Sequence, residues 1–294
     1  MTDKVYEIIT DQVVKSLQEG TVPWRKPWDA ADAPRSIDGH RYTGLNVFLL
    51  LVQEYKSKIW MTFNAMKKHG GNLKPNQHGT IITFWKMIDG IDKETGESRK
   101  FAYLRYYKVY NLDQTENVDV PARVTEVKES EFSPIESAES ILAGYPDGPT
   151  VNHSGSAAYY KSNTDTVTLP PKKSFPDVNR YYSTAFHELG HSTGHESRLN
   201  RPGVVEFDHF GSAKYGREEL IAEMTAAFLN GESGILPETI EQNSAYIAGW
   251  IRTIQEDTKA VVTAAAAAQR AANYILNRSA QDTVASDDKE LVTA

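Results

Sequence analysis

The alternation of apolar and polar positions over residues 1–125 predicts short helices followed by two strands. Apolar side chains recur at helical spacing before Gly20, which ends the first helix: Val5, Ile8, Ile9, Val13 and Leu17. Shorter helices are predicted from Leu45 and within WMTFNAMKKHGG. TIITFWKMI and FAYLRYYKVYN alternate as strands do, and the polar DKETGESR between them is typical of a hairpin turn. The pattern therefore predicts an α+β unit with antiparallel strands.

The pattern changes after the second strand. Residues 112–132 are polar and acidic, which predicts a linker or an inter-domain strand. A capping box at Ser133–Glu136, with Pro134 at the first helical position, begins a new helix. SAAYYKSNTDTVTLP then predicts two strands around a polar turn. We expect the strand from Asp165 to Leu169 to be an edge strand that pairs with an extended peptide.

Three further helices are predicted in the second half. The first runs through YYSTAFHELGHSTG and is capped by Asp177 or Asn179. The second runs from Ser212 to Asn230 and ends at Gly231. The third covers VVTAAAAAQRAANYIL.

The length of 294 residues is sufficient for two domains of ordinary size. We predict boundaries at residues 1–125 and 126–280, and residues 281–294 have the composition of a disordered tail. The chain contains no cysteine, which excludes disulfides, cysteine-ligated zinc, iron–sulfur clusters and thiol nucleophiles. No apolar run approaches the roughly 18 residues of a membrane span, and MTDKVYEIITDQ lacks a signal-peptide core. We therefore predict a cytoplasmic protein that does not contact membranes.

The net charge of −7 is unevenly distributed. Residues 1–110 carry 17 Lys and Arg against 12 Asp and Glu, whereas the remaining residues carry 15 against 27. The first segment also contains four of the five tryptophans. A basic, aromatic-rich half joined to an acidic half predicts two modules with different binding partners.

The segment His187-Glu188-Leu189-Gly190-His191 carries the clearest chemical signal. Residues four apart on a helix share a face, so the two histidines can bind one metal ion. Glu188 lies beside that face, where it can reach water on the metal and act as a general base. The spacing predicts a metal-dependent hydrolase.

A catalytic zinc needs a third protein ligand and one open position. His195 is separated from His187 by about 12 Å of helical rise, so one ion does not contact both. The run that begins at His187 is similar to the start of the metzincin motif, but Ser197 occupies the position of that motif's third histidine. The remaining candidates are His209 in the following loop and the carboxylates of the next helix.

The next helix, EELIAEMTAAF, carries carboxylates one turn apart at Glu219 and Glu223. Buried carboxylates beside apolar neighbours such as Leu220 require a partner. The pattern resembles the second helix of gluzincin-type peptidases. This resemblance implies that Glu219 binds the metal and that Glu223 hydrogen-bonds a ligand imidazole and fixes its tautomer. Glu223 as the ligand is the alternative, and we expect Glu218 on a solvated, charged face.

These residues predict peptide-bond hydrolysis by the metal–water route. Zinc lowers the pKa of water and polarises the scissile carbonyl, and Glu188 takes the proton and passes it to the leaving amine. The predicted cofactor is Zn²⁺, with Mn²⁺ as the alternative because a His/His/Glu set binds both. Candidates for the group that stabilises the oxyanion are Tyr159, Tyr160, Tyr215 and His209.

The order of several longer motifs resembles plasmid antirestriction proteins of the ArdC type. These motifs are PWRKPW, RYTGLNVFLL, WMTFNAMKKHGGNLKPNQHGTIITFW, DTVTLPPKKSF, YYSTAFHELGHSTGHESRLNR and FGSAKYGREELIAEMTAAFL. The resemblance covers residues 1–232 and departs from the family pattern at Lys74–Gly79. It implies an N-terminal domain that binds single-stranded DNA, as in TraC-type plasmid primases, and a zincin-like metallopeptidase second domain. It also implies protection of incoming plasmid DNA from restriction during conjugation.

Basic and aromatic residues are interleaved at several places in the first half. Single strands are held by cations along the backbone and by aromatic rings that stack on the bases. Stacking tolerates any base, so we expect binding without sequence specificity that weakens with salt. The candidate DNA-binding residues are Trp24, Arg25, Lys26 and Trp28 in the PWRKPW loop, and Arg41, Tyr42, Trp85, Lys86, Arg105 and Tyr107 in a turn and the strands.

Two alternative functions are compatible with the same residues. One is a DNA-triggered metallopeptidase that cleaves a regulator or a DNA-bound protein. The other is a single-strand-binding protein whose metal site is structural or vestigial. Cleavage that requires Glu188 distinguishes the first from the second. The sequence does not identify a protein substrate.

Overall fold

The computed structural model describes residues 2–26, 28, 33–92, 96–125, 133–206, 212–236 and 244–278. The predicted tail at 281–294 and part of the predicted linker, 126–132, lie outside these residues. The helices are α1 (Thr2–Gln18), α2 (Leu45–Leu51), α3 (Phe63–Lys68), α4 (Ala122–Thr125), α5 (Pro134–Gly144), α6 (Val178–Ser192), α7 (Pro202–Val205), α8 (Ala213–Ser233), α9 (Ser244–Glu256) and α10 (Ala260–Ile275). The strands are β1 (Arg35–Ser36), β2 (Ile59–Met61), β3 (Asn72–Leu73), β4 (Thr80–Ile91), β5 (Ser98–Asn111), β6 (Thr115–Glu116), β7 (Thr150–His153), β8 (Tyr159–Lys161) and β9 (Thr166–Leu169).

The first half forms a four-stranded sheet in the order β1-β2-β5-β4. β1 is parallel to β2, and the other neighbours are antiparallel. β4 and β5 form the predicted hairpin, which is paired from Thr80–Val109 to Ile91–Ser98. Many side chains of its distal part are exposed on both faces, so the hairpin extends beyond the core. No helix among the described residues combines the length and apolar composition of a bilayer span.

Part of the segment predicted as a linker belongs to the first half. β6 pairs with β3, and Val124 of α4 packs in a small cluster with Ile37 and Met66. Before β6, the side chain of Asn111 caps a short turn together with Gln114. The polar residues that gave this segment the composition of a linker are used in a cap and a short edge strand.

The second half places a three-stranded sheet against helices. The sheet order is β7-β9-β8, with β7 parallel and β8 antiparallel to β9. The predicted capping box at Ser133 is confirmed, with the Ser133 hydroxyl accepting from the Glu136 N–H. β7 and α9 were not predicted from the sequence, and α8 extends beyond its predicted end at Asn230. α8 continues through Gly231 and ends before Gly234, whose φ of 73° suits glycine.

One hydrophobic core joins the two halves. α1 packs against α9 and α10, and its buried residues belong to the same cluster as those of α6, α8 and α10. Trp28 packs against α8 at Gly231, where an added Cβ would lie 2.4 Å from the indole ring. Glycine is therefore required inside α8 because it leaves space for the tryptophan of the other half.

Candidate metal centre

The HELGH segment lies in α6, with its apolar side in the core. Asp177 caps the helix, because its Oδ1 accepts a hydrogen bond from the Arg180 N–H at 2.9 Å. His187 and His191 lie on a half-buried side and line a cleft. The residues that hold the opposite side in the core are Tyr181, Tyr182, Ala185, Phe186 and Leu189.

Gly190 allows α6 and α8 to approach closely. A Cβ at this position would lie 3.2 Å from both the Ala222 Cα and the Thr225 Cβ, which is tighter than ordinary packing. Glu219 lies one turn before Ala222 on α8. The small residue in HELGH therefore brings the Glu219 carboxylate opposite the two histidines.

Three side chains have the separations expected of metal ligands. The Nε2 atoms of His187 and His191 are 3.2 Å apart. The Glu219 carboxylate lies 3.6 Å from His187 Nε2 and 3.5 Å from His191 Nε2. Four ligand atoms at about 2.1 Å from a tetrahedral zinc are separated from each other by about 3.4 Å. Two imidazole nitrogens and one carboxylate at these separations would hold a divalent ion.

The Glu218 carboxylate contacts Nδ1 of His191, the ring nitrogen on the opposite side from the three candidate ligand atoms. Its Oε1 lies 3.4 Å from His191 Nδ1, and both carboxylate oxygens accept from the Arg201 guanidinium, at 2.5 and 3.0 Å. The expectation of a solvated Glu218 is wrong, because Arg201 neutralises the carboxylate where it is buried. This contact on Nδ1 leaves His191 Nε2 directed toward Glu219, which is the orienting role that the sequence analysis gave to Glu223.

The electrostatics of the centre favour a cation. Burial lowers the pKa of His191, but hydrogen bonds and charge from Glu218 and Glu219 outweigh this effect and raise the pKa to about 10. Burial likewise raises the pKa of Glu219, and its contacts with His187 and His191 outweigh burial and hold that pKa well below its usual range. The centre therefore carries an excess of negative charge, which a proton or a metal ion can neutralise.

Arg201 is a structural residue of the centre that the sequence analysis missed. Its Nη2 donates to the Gly190 carbonyl at 2.8 Å, and its Nη1 donates to Thr193 Oγ1 at 2.6 Å. It therefore caps the end of α6 and holds Glu218 at the same time. A usable signal was present in HESRLNR, because cations are favoured close to the last carbonyls of a helix.

Glu223 faces the first half of the chain and is not bonded to any imidazole among the described residues. Its carboxylate accepts from Arg25 Nη2 at 2.9 Å and from Arg25 Nε at 3.3 Å. The Arg25 guanidinium also lies over the Trp250 ring, 4.8 Å from its centroid. The expected hydrogen bond from a histidine to Glu223 is wrong, because an arginine distant in sequence occupies that carboxylate.

Glu188 is buried in the wall of the metal cleft. The cleft has a volume of about 540 Å³, and Tyr159, Tyr160 and Tyr215 also line it. The Tyr160 hydroxyl donates to Asp165 at 2.8 Å. His195 is hydrogen-bonded to Ser197 and does not line the cleft. His209, the other histidine proposed for this site, lies outside the described residues.

The strand from Asp165 to Leu169 is not an edge strand. β9 covers Thr166–Leu169 and is paired on both sides, by β7 and β8. β8 is the edge on the side of the metal cleft, and Tyr159 to Lys161 line that cleft. The expectation was wrong because β7, which covers the other side of β9, was not recognised.

Trp24 and Trp28 of the PWRKPW segment are packed between the two halves, which contradicts the prediction of an exposed DNA-binding loop. Trp24 is 2% exposed and packs edge-on against Trp250, with ring centroids 5.4 Å apart. Trp28 is 9% exposed and packs on α8. Lys26 forms an ion pair with Glu54. Trp24, which is enclosed in this internal contact, is not available to stack on bases.

The remaining DNA-binding candidates are divided over three places. Lys86, Arg105 and Tyr107 lie on one face of the hairpin, whereas Trp85 points to the opposite face because successive residues of a strand alternate. Trp85 is 41% exposed. Arg41 and Tyr42 line a separate cavity between the halves.

Comparison with known families assigns both halves. Residues 3–110 match the N-terminal domain of anti-restriction factor ArdC, and residues 136–267 match a zincin-like metallopeptidase family. Zincins are built around an HExxH helix of this kind, so the match agrees with the donor set described above. Both predicted parts of the α+β architecture are thereby confirmed.

Among curated proteins, the chain is 32% identical to a DNA primase TraC of Escherichia coli over 92% of its own length. It spans only about a fifth to a quarter of the length of the TraC primases that it matches (20% and 27%). It is 29% identical to an uncharacterized protein, y4eC, of Sinorhizobium fredii, covering 92% of this chain and 91% of that protein.

The solved structures of the antirestriction protein ArdC from plasmid R388 match nearly the whole chain. The metal-free structure aligns with a TM-score of 0.74 and 31% identity over 93% of this chain and 98% of that one. The Mn(II)-bound structure aligns with a TM-score of 0.73 and 30% identity over 92% and 97%. Together with the zincin-like family match, the Mn(II)-bound relative indicates a divalent-metal site. The chain therefore belongs to the ArdC family of antirestriction proteins.

Proposed function

We propose that this protein binds single-stranded DNA without sequence specificity, carries a metal-dependent peptidase site, and protects plasmid DNA from restriction in the recipient cytoplasm during conjugation. The match to R388 ArdC, an antirestriction protein, supports the protective role, and the match to TraC primases supports a link to plasmids. The observation that carries the proposal is one face of the β4–β5 hairpin.

This aromatic–basic face consists of Phe84, Lys86, Tyr103, Arg105 and Tyr107. Phe84 lies opposite Arg105 and Lys86 lies opposite Tyr103, so their side chains share one side of the hairpin. The rings of Phe84 and Tyr107 are 5.5 Å apart. Cations interleaved with aromatic rings along an exposed ribbon can hold phosphates and stack bases.

Matched substitutions on the two hairpin faces test DNA binding. Tyr103→Ala and Lys86→Ala should each weaken binding of a labelled single strand, by about tenfold for the tyrosine, because stacking contributes about 1–3 kcal/mol per base. Tyr106→Ala and Lys100→Ala are the controls, since both residues are exposed on the opposite face. Fluorescence anisotropy of the full chain at two salt concentrations measures the effect. Equal losses on both faces, or no binding by the unmodified protein, would contradict the proposal.

The peptidase part of the proposal rests on His187, His191, Glu219 and Glu188. The first three would hold Zn²⁺ or Mn²⁺, and such an ion supplies polarisation of a carbonyl and acidification of water. Glu188 would accept the proton of the attacking water at its carboxylate and deliver it to the leaving amine. An extended substrate would add to the free edge of β8, which lines the same cleft.

Glu188→Gln separates catalysis from metal binding. The variant should retain the metal content of the unmodified protein, because Glu188 is outside the ligand set, while cleavage of an unstructured protein is lost. His187→Ala should lose both. If Glu188→Gln protects incoming plasmid DNA as well as the unmodified protein does, protection depends on DNA binding and not on proteolysis.

A further inference from the structure

A second cavity lies where the two halves of the chain meet. It has a volume of about 400 Å³ and is lined mainly by residues 39–43 and 47 of the first half and by residues of α8 and α10 of the second half. The residues of the candidate metal centre do not line it. Its size falls within the roughly 300–1,000 Å³ of small-molecule sites, which is sufficient for one nucleotide.

The cavity has an apolar wall, an arginine–glutamate ion pair and one further arginine. Val47, Ala272 and Leu276 contribute aliphatic surface, and Trp28 contributes an aromatic ring. Arg41 lines the cavity and is exposed to solvent, and its guanidinium has no ion-pair partner among the described residues. A flat ring with an attached anion matches this combination of surfaces.

A hydrogen-bond relay orients an amide toward this space. The Gly44 N–H donates to Gln269 Oε1 at 2.9 Å, and Gln269 Nε2 donates to Asn273 Oδ1 at 3.0 Å. Asn273 lines the cavity and is 9% exposed. With its oxygen engaged, it presents its amide nitrogen as a donor that has no acceptor among the described residues. A donor that lines a cavity can bond an acceptor on a ligand, so such an acceptor fits here.

Shared contacts link the cavity lining to the base of the aromatic–basic face. Tyr42 lines the cavity and packs against the same small cluster as Tyr107 of that face. Asn46, between Tyr42 and Val47, bonds the backbone of Thr83 in β4 at 2.7 and 2.9 Å. A strand that follows the hairpin face toward its base therefore reaches the cavity.

We propose that this cavity holds one unpaired nucleotide of the bound single strand. Its base lies against the apolar wall and accepts a hydrogen bond from the Asn273 amide, and its phosphate lies beside Arg41. A base in a duplex has its polar edge paired and its faces stacked, so it does not enter, which favours single strands. The inference rests on the proposed DNA-binding function and adds a specific subsite to it.

Asn273→Asp tests the donor without changing the shape of the side chain. The aspartate retains the acceptor for Gln269 but removes the donor and adds a repelling charge. We expect about tenfold weaker binding of an oligothymidylate single strand by the full chain and little change for a duplex. Gln255→Glu on α9 is the control for charge, because Gln255 is exposed and does not line the cavity.

Photo-crosslinking of the unmodified protein gives a second readout that does not depend on a variant. A single strand carrying iododeoxyuridine should form an adduct at Trp28 or Tyr42, located by mass spectrometry of the peptides. Adducts confined to the hairpin, with unchanged affinity of Asn273→Asp, overturn the subsite and leave the DNA-binding proposal standing. Failure of any single strand to bind overturns the proposed function itself. Binding of free thymidine monophosphate that depends on Asn273, with unchanged strand binding, would instead assign the cavity to a free nucleotide.

Discussion

Glu218 and Glu219 are consecutive on α8, yet their carboxylates have different tasks. Glu219 faces Nε2 of both histidines, and Glu218 reaches Nδ1 of His191 and the Arg201 guanidinium. A carboxylate on Nδ1 keeps the proton there and leaves Nε2 with its lone pair for an ion. One helix therefore provides both a ligand and the group that orients another ligand.

Glu218→Gln should lower metal affinity in a protein that still folds but is less stable, because the buried Arg201 loses its counter-ion. Loss of an orienting carboxylate beside a metal-bound histidine typically costs 10- to 100-fold in affinity, and the amide can still accept from Arg201. Metal content after dialysis against graded chelator concentrations measures the change. Glu196→Gln is the control, because Glu196 is exposed and outside the cleft. Equal metal retention by both variants would contradict the assignment.

Asp165 illustrates a charge whose contribution depends on pH. Its carboxylate accepts from the Arg198 guanidinium and from the Tyr160 hydroxyl, and these contacts outweigh burial and hold its pKa below 3.8. A lowered folded-state pKa stabilises the fold above pH 3.8, and this stabilisation is lost as pH falls further through the folded-state value.

Asp165→Asn should therefore destabilise the protein at neutral pH by about 1–3 kcal/mol, because the buried Arg198 loses its counter-ion. Asparagine tolerates the left-handed backbone at this position, where φ is 46°, so conformational strain does not confuse the result. Urea unfolding from neutral pH to below pH 3.8 should show the difference from the unmodified protein shrinking as the carboxyl protonates. A difference that stays constant with pH would contradict this account.

The sequence predicted the local part of the site but not its distant contacts. His187 and His191 follow from helical periodicity, because four residues of spacing determine that they share a face. The partners of Glu218 and Glu223, which are Arg201 and Arg25, depend on how a loop and a distant segment fold back. The spacing of residues within α8 does not indicate which arginine from elsewhere in the chain pairs with each carboxylate.

At the scale of elements, the approach of α6 to α8 determines whether a three-ligand site exists. The histidines and Glu219 lie on different helices, and the backbone at Gly190 nearly touches α8 at Ala222. A wider separation would move the carboxylate away from the imidazoles. The glycine in HELGH is therefore a packing residue that sets ligand distances.

Gly190→Ala should weaken both stability and metal binding. The added methyl group meets the Ala222 backbone at 3.2 Å, so the helices must separate, at a cost of about 1–3 kcal/mol. Gly144→Ala is the matched control, because a Cβ there has nothing within 4 Å. Thermal unfolding with and without Mn²⁺ measures both effects. Wild-type stability and an unchanged metal-induced shift would contradict the packing argument.

Elements with strong local patterns were predictable, and elements defined by tertiary contacts were not. The β4–β5 hairpin has the alternating pattern of strands. α6 has a helical period and a capping residue. β7 consists of four exposed residues, Thr150–His153, and is a strand only because it pairs with β9. Trp60 and Met61 were assigned to a helix because their neighbours have its pattern, but they form β2 beside β5.

At the scale of the whole molecule, the two halves are joined by the PWRKPW segment. Trp24 and Trp28 are buried against α9 and α8, and Arg25 pairs with Glu223 one turn after Glu219. The uneven charge predicted two modules, and two family models match residues 3–110 and 136–267. Composition does not indicate where modules touch, so a segment that joins them was interpreted as a DNA-binding loop.

Trp28→Ala should destabilise the whole protein by about 3–5 kcal/mol, because a large aromatic leaves a cavity at the contact with α8. Trp85→Ala removes the same side chain from an exposed hairpin position and should cost much less. Urea unfolding followed by circular dichroism measures both. Similar losses in the two variants would contradict the placement of Trp28 in a shared core.

The Trp28 indole fills the gap that Gly231 leaves on the surface of α8, and this contact bears on how the chain can be divided into two fragments. A break in the backbone near residue 130 would give two pieces, each with half of one core exposed. The indole on one fragment and the gap at Gly231 on the other form a specific interface. The Arg25–Glu223 ion pair also stabilises this interface. Two such fragments produced together should reassemble without a covalent link, which would turn this protein into a split reporter.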